Sequence, residues 1–158
     1  MTFSPRALVV RNGEGEVVNA LGSRYRYKAL GESTNGAYSL VEETLLDEEG
    51  PPLHVHDHEE EAFYVLEGRG VFVVGEDRKE LGGGDFVIVP RGAPHALART
   101  GAEDLRMLVI TSPAGLEEFF VEVERREAAA GTPMDEGDVV ALAATFGTRI
   151  VGPPIGPC

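Results

Sequence analysis

His54-Val55-His56-Asp57-His58-Glu59-Glu60-Glu61-Ala62-Phe63-Tyr64-Val65-Leu66-Glu67-Gly68 is the stretch on which the reading of this chain turns. His54 and His56 are two apart, so on a strand both side chains point to one face. A carboxylate follows at Glu61, and a third histidine, His95, comes after Gly84, Pro90 and Gly92. Imidazole nitrogens with one carboxylate suit a borderline transition metal rather than calcium or magnesium. The chain has only 4 histidines, so this order of residues points to a metal site.

Working outward, the strand periodicity supports that placement. The interval from His56 to Glu61 leaves room for a turn of Asp57, His58, Glu59 and Glu60 between antiparallel strands. Parity then sends Glu61, Phe63 and Val65 inward and Ala62, Tyr64 and Leu66 outward. Residues 7–11, 25–28, 37–45, 62–67, 70–74, 85–89 and 105–111 are rich in strand-forming side chains. Clusters of Gly and Pro at 13–15, 49–52, 68–70, 82–84 and 92–94 separate them. Many short strands with regular punctuation indicate an all-β barrel or sandwich.

The two motifs together resemble those of the cupins. In that family the first reads Gly, five residues, His-x-His, three or four residues, Glu, six residues, Gly. Here it is His54 to Gly68, with Glu48 at the usual place of the opening glycine and Gly50 nearer the histidines. The second reads Gly, five residues, Pro-x-Gly, two residues, His, three residues, Asn. Here Gly84, Pro90, Gly92 and His95 match and Arg99 stands for the Asn. The resemblance implies a double-stranded β-helix, or jelly-roll barrel, over residues 1–112. Its metal ligands would be His54, His56, Glu61 and His95, with one divalent transition metal (Fe, Mn, Ni, Co or Zn) bound near one mouth. Three imidazoles and a carboxylate leave one or two positions open on a five- or six-coordinate ion. Glu61 is preferred over Glu59 and Glu60 because it stands six residues before Gly68; Glu60 satisfies the shorter spacing to the histidines. His58, in the inferred turn, reads as solvent-exposed. A degenerate cupin that keeps these residues as a polar patch is the alternative.

After residue 112 the pattern becomes helical. Ser112 suits an N-cap and Pro113 a first helical position. Leu116, Phe119, Phe120 and Val123 recur at helical spacing, and a second helix is expected from Thr132-Pro133, with Val139, Val140, Leu142, Ala143 and Phe146 apolar and Gly147 as its stop. The end, from Ile150 to Cys158, is too rich in Pro and Gly for a regular element. Residues 113–158 are therefore read as C-terminal helices and a Pro/Gly-rich tail packed on the barrel within one domain. In cupins of the quercetin 2,3-dioxygenase-like type, a segment similar to Pro113–Phe120 and a Val-Gly-Pro-Pro tail follow the barrel.

Composition sets the outer limits. The length fits one domain, and 42% apolar residues suffice for a core. A formal charge of -13 argues against nucleic acid and anionic membranes as partners. The only cysteine is Cys158, which excludes a disulfide within the chain. No apolar leader and no membrane-length apolar run is present, so the expectation is cytoplasmic. Gly68, Gly84, Pro90 and Gly92 read as turn-makers. Arg99 reads as pairing with an acidic neighbour rather than as an anchor for a substrate carboxylate, and the acidic run 42–49 as a solvated edge. Phe63, Phe72, Tyr38 and Met107 are candidates for the wall of a substrate pocket.

Three functions fit. The first, implied by the resemblance, is a metal-dependent dioxygenase acting on a small enolic or polyphenolic substrate, with Glu61 also serving as base for the substrate hydroxyl. The second is a non-redox metal-dependent isomerase, lyase or hydrolase, which calls for a second acid–base group near the metal. The third is a binding module for a small molecule, without turnover. Homodimerisation is expected from the resemblance, with the segment 7–11 adding to a neighbour's sheet; the alternative is that it pairs within its own barrel.

Overall fold

In the computed structural model, which describes residues 6–156, Ser39, Val41, Glu43 and Leu45 are buried while the residues between them are partly exposed. This period of two marks a strand with one face inside a barrel. Leu105, Met107, Val109 and Thr111 repeat it, as do Glu61, Phe63 and Val65. In chain order the described elements are β1 (Val17–Ala20), β2 (Ser23–Ala29), α1 (Gly31–Thr34), β3 (Ser39–Leu45), β4 (Pro52–His56), β5 (Glu60–Glu67), β6 (Arg69–Val74), β7 (Asp77–Gly82), β8 (Phe86–Val89), β9 (His95–Thr100), β10 (Leu105–Ser112), α2 (Glu117–Ala130), α3 (Glu136–Thr145) and β11 (Thr148–Pro154).

The strands form two antiparallel sheets, ordered β1-β2-β3-β10-β5-β8 and β11-β4-β9-β6-β7. Their inner faces share one apolar cluster that includes Leu45, Val65, Phe72, Leu97 and Met107 and extends to Phe119 and Val123 of α2 and Leu142 of α3. This is the all-β jelly-roll architecture with a C-terminal helical segment that the sequence indicated. Helix α2 lies over the β1–β2 end of the barrel. Phe120 stacks on Tyr25 at 4.0 Å between ring centroids, and Tyr27 donates its hydroxyl proton to the Glu117 carbonyl at 2.6 Å. Among the described residues no helix is long and apolar enough to cross a membrane.

Several local expectations are corrected. Residues 7–11 form no strand and are largely exposed, with Leu8 at 59% and Val9 at 65%. Strand-forming side chains make a strand only where a partner supplies the ladder. Here the chain runs instead into a turn that Lys28 holds, its Nζ donating to the carbonyls of Arg11 and Glu14 at 3.0 and 2.8 Å. Strands β4 and β5 are not a hairpin: they belong to different sheets, and Asp57, His58 and Glu59 carry the chain from one sheet to the other.

Ser112 does not cap a helix. It ends β10 opposite Glu60, and its hydroxyl donates to the Ala37 carbonyl at 2.8 Å. The approach to α2 is held by the buried Glu117 carboxylate, which accepts from the amides of Gly115 (2.6 Å) and Gly31 (3.2 Å). Helix α3 starts later than expected, where Asp135 accepts from the Asp138 amide at 2.8 Å as a side-chain cap. Gly147, at φ 76°, follows the end of that helix as expected. The Pro/Gly-rich tail is a strand after all: β11 pairs with β4, and its prolines are tolerated because it is the edge of its sheet. Cys158 lies outside the described residues.

Met107 has no exposed surface and sits at the centre of the six-stranded sheet. Met107→Ala is expected to lower the unfolding free energy by about 2–5 kcal/mol, measured by urea titration. The surface change Ile110→Thr, at a site 38% exposed on the neighbouring outward position, is expected to stay within about 0.5 kcal/mol.

Candidate metal centre

The two sheets bring their polar residues together at one place. His54 and His56 project inward from β4, and His95 opens β9 directly opposite His54. Glu61 comes from β5 in the facing sheet. One ligand atom from each of the four lies within 4.8 Å of every other, and all four side chains are buried. The loop before His95 is tied to the end of β4, because the Gly92 amide donates to the His56 carbonyl at 3.0 Å. Gly92 has φ 80°, a conformation that suits glycine. Behind the site the backbone of Gly50 approaches Leu97 so closely that a Cβ would run into the Leu97 carbonyl.

Each imidazole is fixed from behind. His54 Nδ1 donates to the Pro52 carbonyl at 2.7 Å and His95 Nδ1 to the Ala93 carbonyl at 3.0 Å. A carbonyl only accepts, so these rings carry a proton on Nδ1, and with a metal bound each would offer its Nε2 lone pair to the centre. His56 Nδ1 meets Thr148 Oγ1 at 2.9 Å. Outer partners of this kind orient the rings of metal-binding histidines.

At the centre, Glu61 Oε2 lies 2.9 Å from His95 Nε2 and 3.2 Å from His56 Nε2. Two atoms that both present lone pairs repel at such distances unless a proton or a cation lies between them. Burial opposes ionisation of Glu61, but the neighbouring His56 and hydrogen bonds from His56 and His95 outweigh it and hold the carboxyl well below the usual carboxylate range. Burial and the neighbouring His95 and His56 push His54 down to about 3. Burial also disfavours a charged His56, yet Glu61 raises it overall. Three imidazoles, neutral when they ligate, and one ionised carboxylate form a donor set that fits a divalent transition metal.

The structure resolves the choice among the three consecutive glutamates. Glu60 points out to solvent, Glu59 is buried but stands outside the cluster, and Glu61 belongs to it. His58 is exposed and packs over Gly147. Arg99 pairs with Asp104 at 3.0 Å. Phe63, Phe72 and Met107 pack in the apolar core, and Tyr38 is 43% exposed. None of these four borders the cavity next to Glu61, which is lined instead by Tyr25, Glu43, Val109, Thr111, Leu116 and Phe120, among others.

Two contributors escaped the sequence reading. Thr148 lies between the expected helix stop at Gly147 and the tail that opens at Ile150, in a stretch whose local pattern assigns it no role. Glu43 lies in the acidic run 42–49 taken as a solvated edge, and that is a correction: it is 8% exposed and faces inward. Its signal was available, because Glu43 shares the inward parity of Ser39, Val41 and Leu45.

Two sheets enclosing a buried His/Glu cluster that could hold a metal define a jelly-roll protein with a candidate metal site. Residues 41–111 match the cupin domain family. An uncharacterized protein of Streptomyces coelicolor is 36% identical over 78 residues, covering 49% of this chain and 68% of that protein. The chain belongs to the cupins. Among solved structures it is similar to a predicted oxalate decarboxylase from Thermotoga maritima (26% identity, TM-score 0.59, 66% of this chain and 98% of that one). It is similar in fold to the polyketide cyclase RemF from Streptomyces resistomycificus (24% identity, TM-score 0.59, 68% of this chain and 80% of that one).

Elemental analysis of protein purified without a metal-affinity tag is expected to find one divalent transition metal per chain, lost in His54→Ala, His95→Ala and Glu61→Ala. Thr148→Val, which removes only the hydroxyl behind His56, is expected to weaken metal affinity about 10–100-fold in a chelator competition.

Proposed function

We propose that this cupin is a metal-dependent enzyme acting on a small enolic substrate, with oxygenation as its reaction. The observation that carries the reading is the convergence of three buried imidazoles on one ionised carboxylate. His54, His56, His95 and Glu61 would hold the metal, which when bound would supply Lewis acidity and, if iron, manganese, cobalt or nickel, redox chemistry with oxygen. The chain's own contribution is to bury the site, fix the imidazoles from behind and hold Glu61 ionised. An ionised carboxylate there is able to accept the proton of a substrate hydroxyl. The cavity beside Glu61 has a volume of about 20 Å³, room for roughly one water. That is far smaller than a flavonol-sized polyphenol.

One observation supports a second reading, a non-redox isomerase or lyase. Such chemistry needs another acid–base group, and Glu43 borders the same cavity as Glu61. Solved structures of similar fold are described as a predicted oxalate decarboxylase and a polyketide cyclase, and neither description is that of a dioxygenase.

The two readings separate on metal identity and oxygen uptake. Oxygenation predicts a stoichiometric redox metal and substrate-dependent oxygen consumption with small enols such as 1,3-dicarbonyl compounds, abolished by Glu61→Ala. Stoichiometric zinc with no oxygen consumption would select the non-redox reading. A protein that neither carries metal nor takes it up on reconstitution would overturn both.

A further inference from the structure

The outer face of the six-stranded sheet carries a surface that the metal centre does not use. Strand register fixes its layout. Leu108, Tyr64 and Phe86 stand side by side across β10, β5 and β8, and Ala62 stands beside Ile88 in the next row. Phe86 is 52% and Ile88 55% exposed, and Tyr64 is exposed as well. Cross-strand neighbours on one face touch, so these side chains form one continuous apolar patch. A patch of this kind marks a contact surface, whereas single exposed apolar residues do not. The charges beside it are already matched, because Arg106 pairs with Glu42 at 3.1 Å and with Glu67 at 2.7 Å.

Strand β8 is also an edge. It pairs with β5 on one side, and among the described residues no strand lies on the other. Free amides and carbonyls along an apolar edge are a template for a further strand. Toward the opposite edge of the same sheet the chain holds a segment that lacks a partner. Leu8 and Val9 are exposed, and among the described residues the backbone of 7–10 makes no hydrogen bond. The segment leaves from the outer face. Lys28, outward on β2, donates to the Arg11 carbonyl at 3.0 Å, and Arg26, two residues earlier, donates to the Gly13 carbonyl at 2.7 Å. From β2 to β8 is four strand spacings, roughly 19 Å. Residues 7–10, fully extended from Arg11, span about 14 Å. The segment therefore does not reach its own β8, whereas the β8 of a second copy is free to meet it.

We infer that two copies of this chain pack the outer faces of their six-stranded sheets together about a two-fold axis, each laying residues 7–10 along the other's β8. One chain supplies both the strand and the edge, so exchange in both directions satisfies each and closes the assembly at two. Area supports the exchange. The patch exposes on the order of 400 Å², short of the roughly 800 Å² per partner that a stable interface buries. The exchanged segments, with Leu8 and Val9 exposed in the single chain, supply the difference. The pairing brings together two chains of net charge -13, so the repulsion between them is long-range and added salt strengthens the pair. The inference does not depend on the metal reading.

Sedimentation velocity on the full-length protein as purified is the test. Wild type is expected to be a dimer at micromolar concentration, tighter at high salt than at low salt. Ile88→Glu places a charge in the patch on both sides of the axis and is expected to weaken the dimer at least about 100-fold. Val9→Pro removes an amide that the added strand needs and is expected to weaken it about 10-fold or more. Val140→Glu, on the exposed side of α3, is the control and is expected to leave the dimer intact. All three positions are exposed in the single chain, and unchanged circular dichroism reports that the variants fold. Amide hydrogen exchange of Val10 and Val87 is expected to be slow in the dimer and fast in the Ile88→Glu monomer.

A wild type that stays monomeric at every concentration overturns the inference. So does a dimer that Ile88→Glu leaves intact, or one that Val140→Glu weakens equally. A mass of one copy plus a different protein overturns it as well. A dimer lost in Ile88→Glu but untouched by Val9→Pro overturns the exchange of segments.

Discussion

A single ionised carboxylate, that of Glu61, sits between the two sheets of this barrel, and much of the surrounding structure answers to it. An isolated carboxylate in a protein interior is strongly unfavourable, so the group must be neutralised or matched by opposing charge and hydrogen bonds. Here the partners are imidazole nitrogens from the opposite sheet, at 2.9 and 3.2 Å. Those nitrogens meet the carboxylate favourably only with protons or a cation between them. The site is therefore a trap for positive charge, built from one group on the six-stranded sheet and three on the five-stranded sheet.

The rest of the barrel can be understood as the means of holding those two sheets in register. The short crossing at Asp57, His58 and Glu59 places Glu61 close behind His56 in sequence yet across the interior in space. The Gly92 amide on the His56 carbonyl fixes the loop that delivers His95. Strand β11 closes the edge next to β4 and brings Thr148 behind His56. A C-terminal strand that looks peripheral is thereby part of the site's support. Helix α2 closes the other side, with Leu116, Glu117 and Phe120 against the cavity that Glu43 and Glu61 share.

That shared cavity distinguishes this chain's interior from a plain apolar core. Its apolar lining keeps water scarce, which raises the proton affinity of Glu43, while the histidines keep Glu61 ionised a short way off. Two carboxyls thus acquire opposite tendencies from their surroundings. The small volume of the space also explains why the candidate pocket residues Phe63, Phe72 and Met107 serve packing instead: the middle of the barrel is filled, and the open volume lies toward the α2 end.

Much of this was legible in the chain itself. The spacing of His54, His56, Glu61 and His95 marked the buried cluster that could hold a metal, because strand parity puts alternate residues on one face and turn glycines mark where the chain reverses. Parity also held for β3, β5 and β10, and in hindsight it contained Glu43. What parity does not report is which strands become neighbours. The N-terminal segment 7–11 has strand-forming side chains and no partner, whereas Thr148–Pro154 has prolines and a partner, so pairing overrode local preference in both directions. Ser112 likewise had the chemistry of a helix cap, but its place in the β10 ladder decided its role. Local residue chemistry and period therefore determined most of the strands and the candidate ligands, since both depend on near neighbours. The tertiary structure alone decided the crossing between sheets, the support behind His56 and the burial that raises Glu43, because each depends on contacts between residues far apart in the chain.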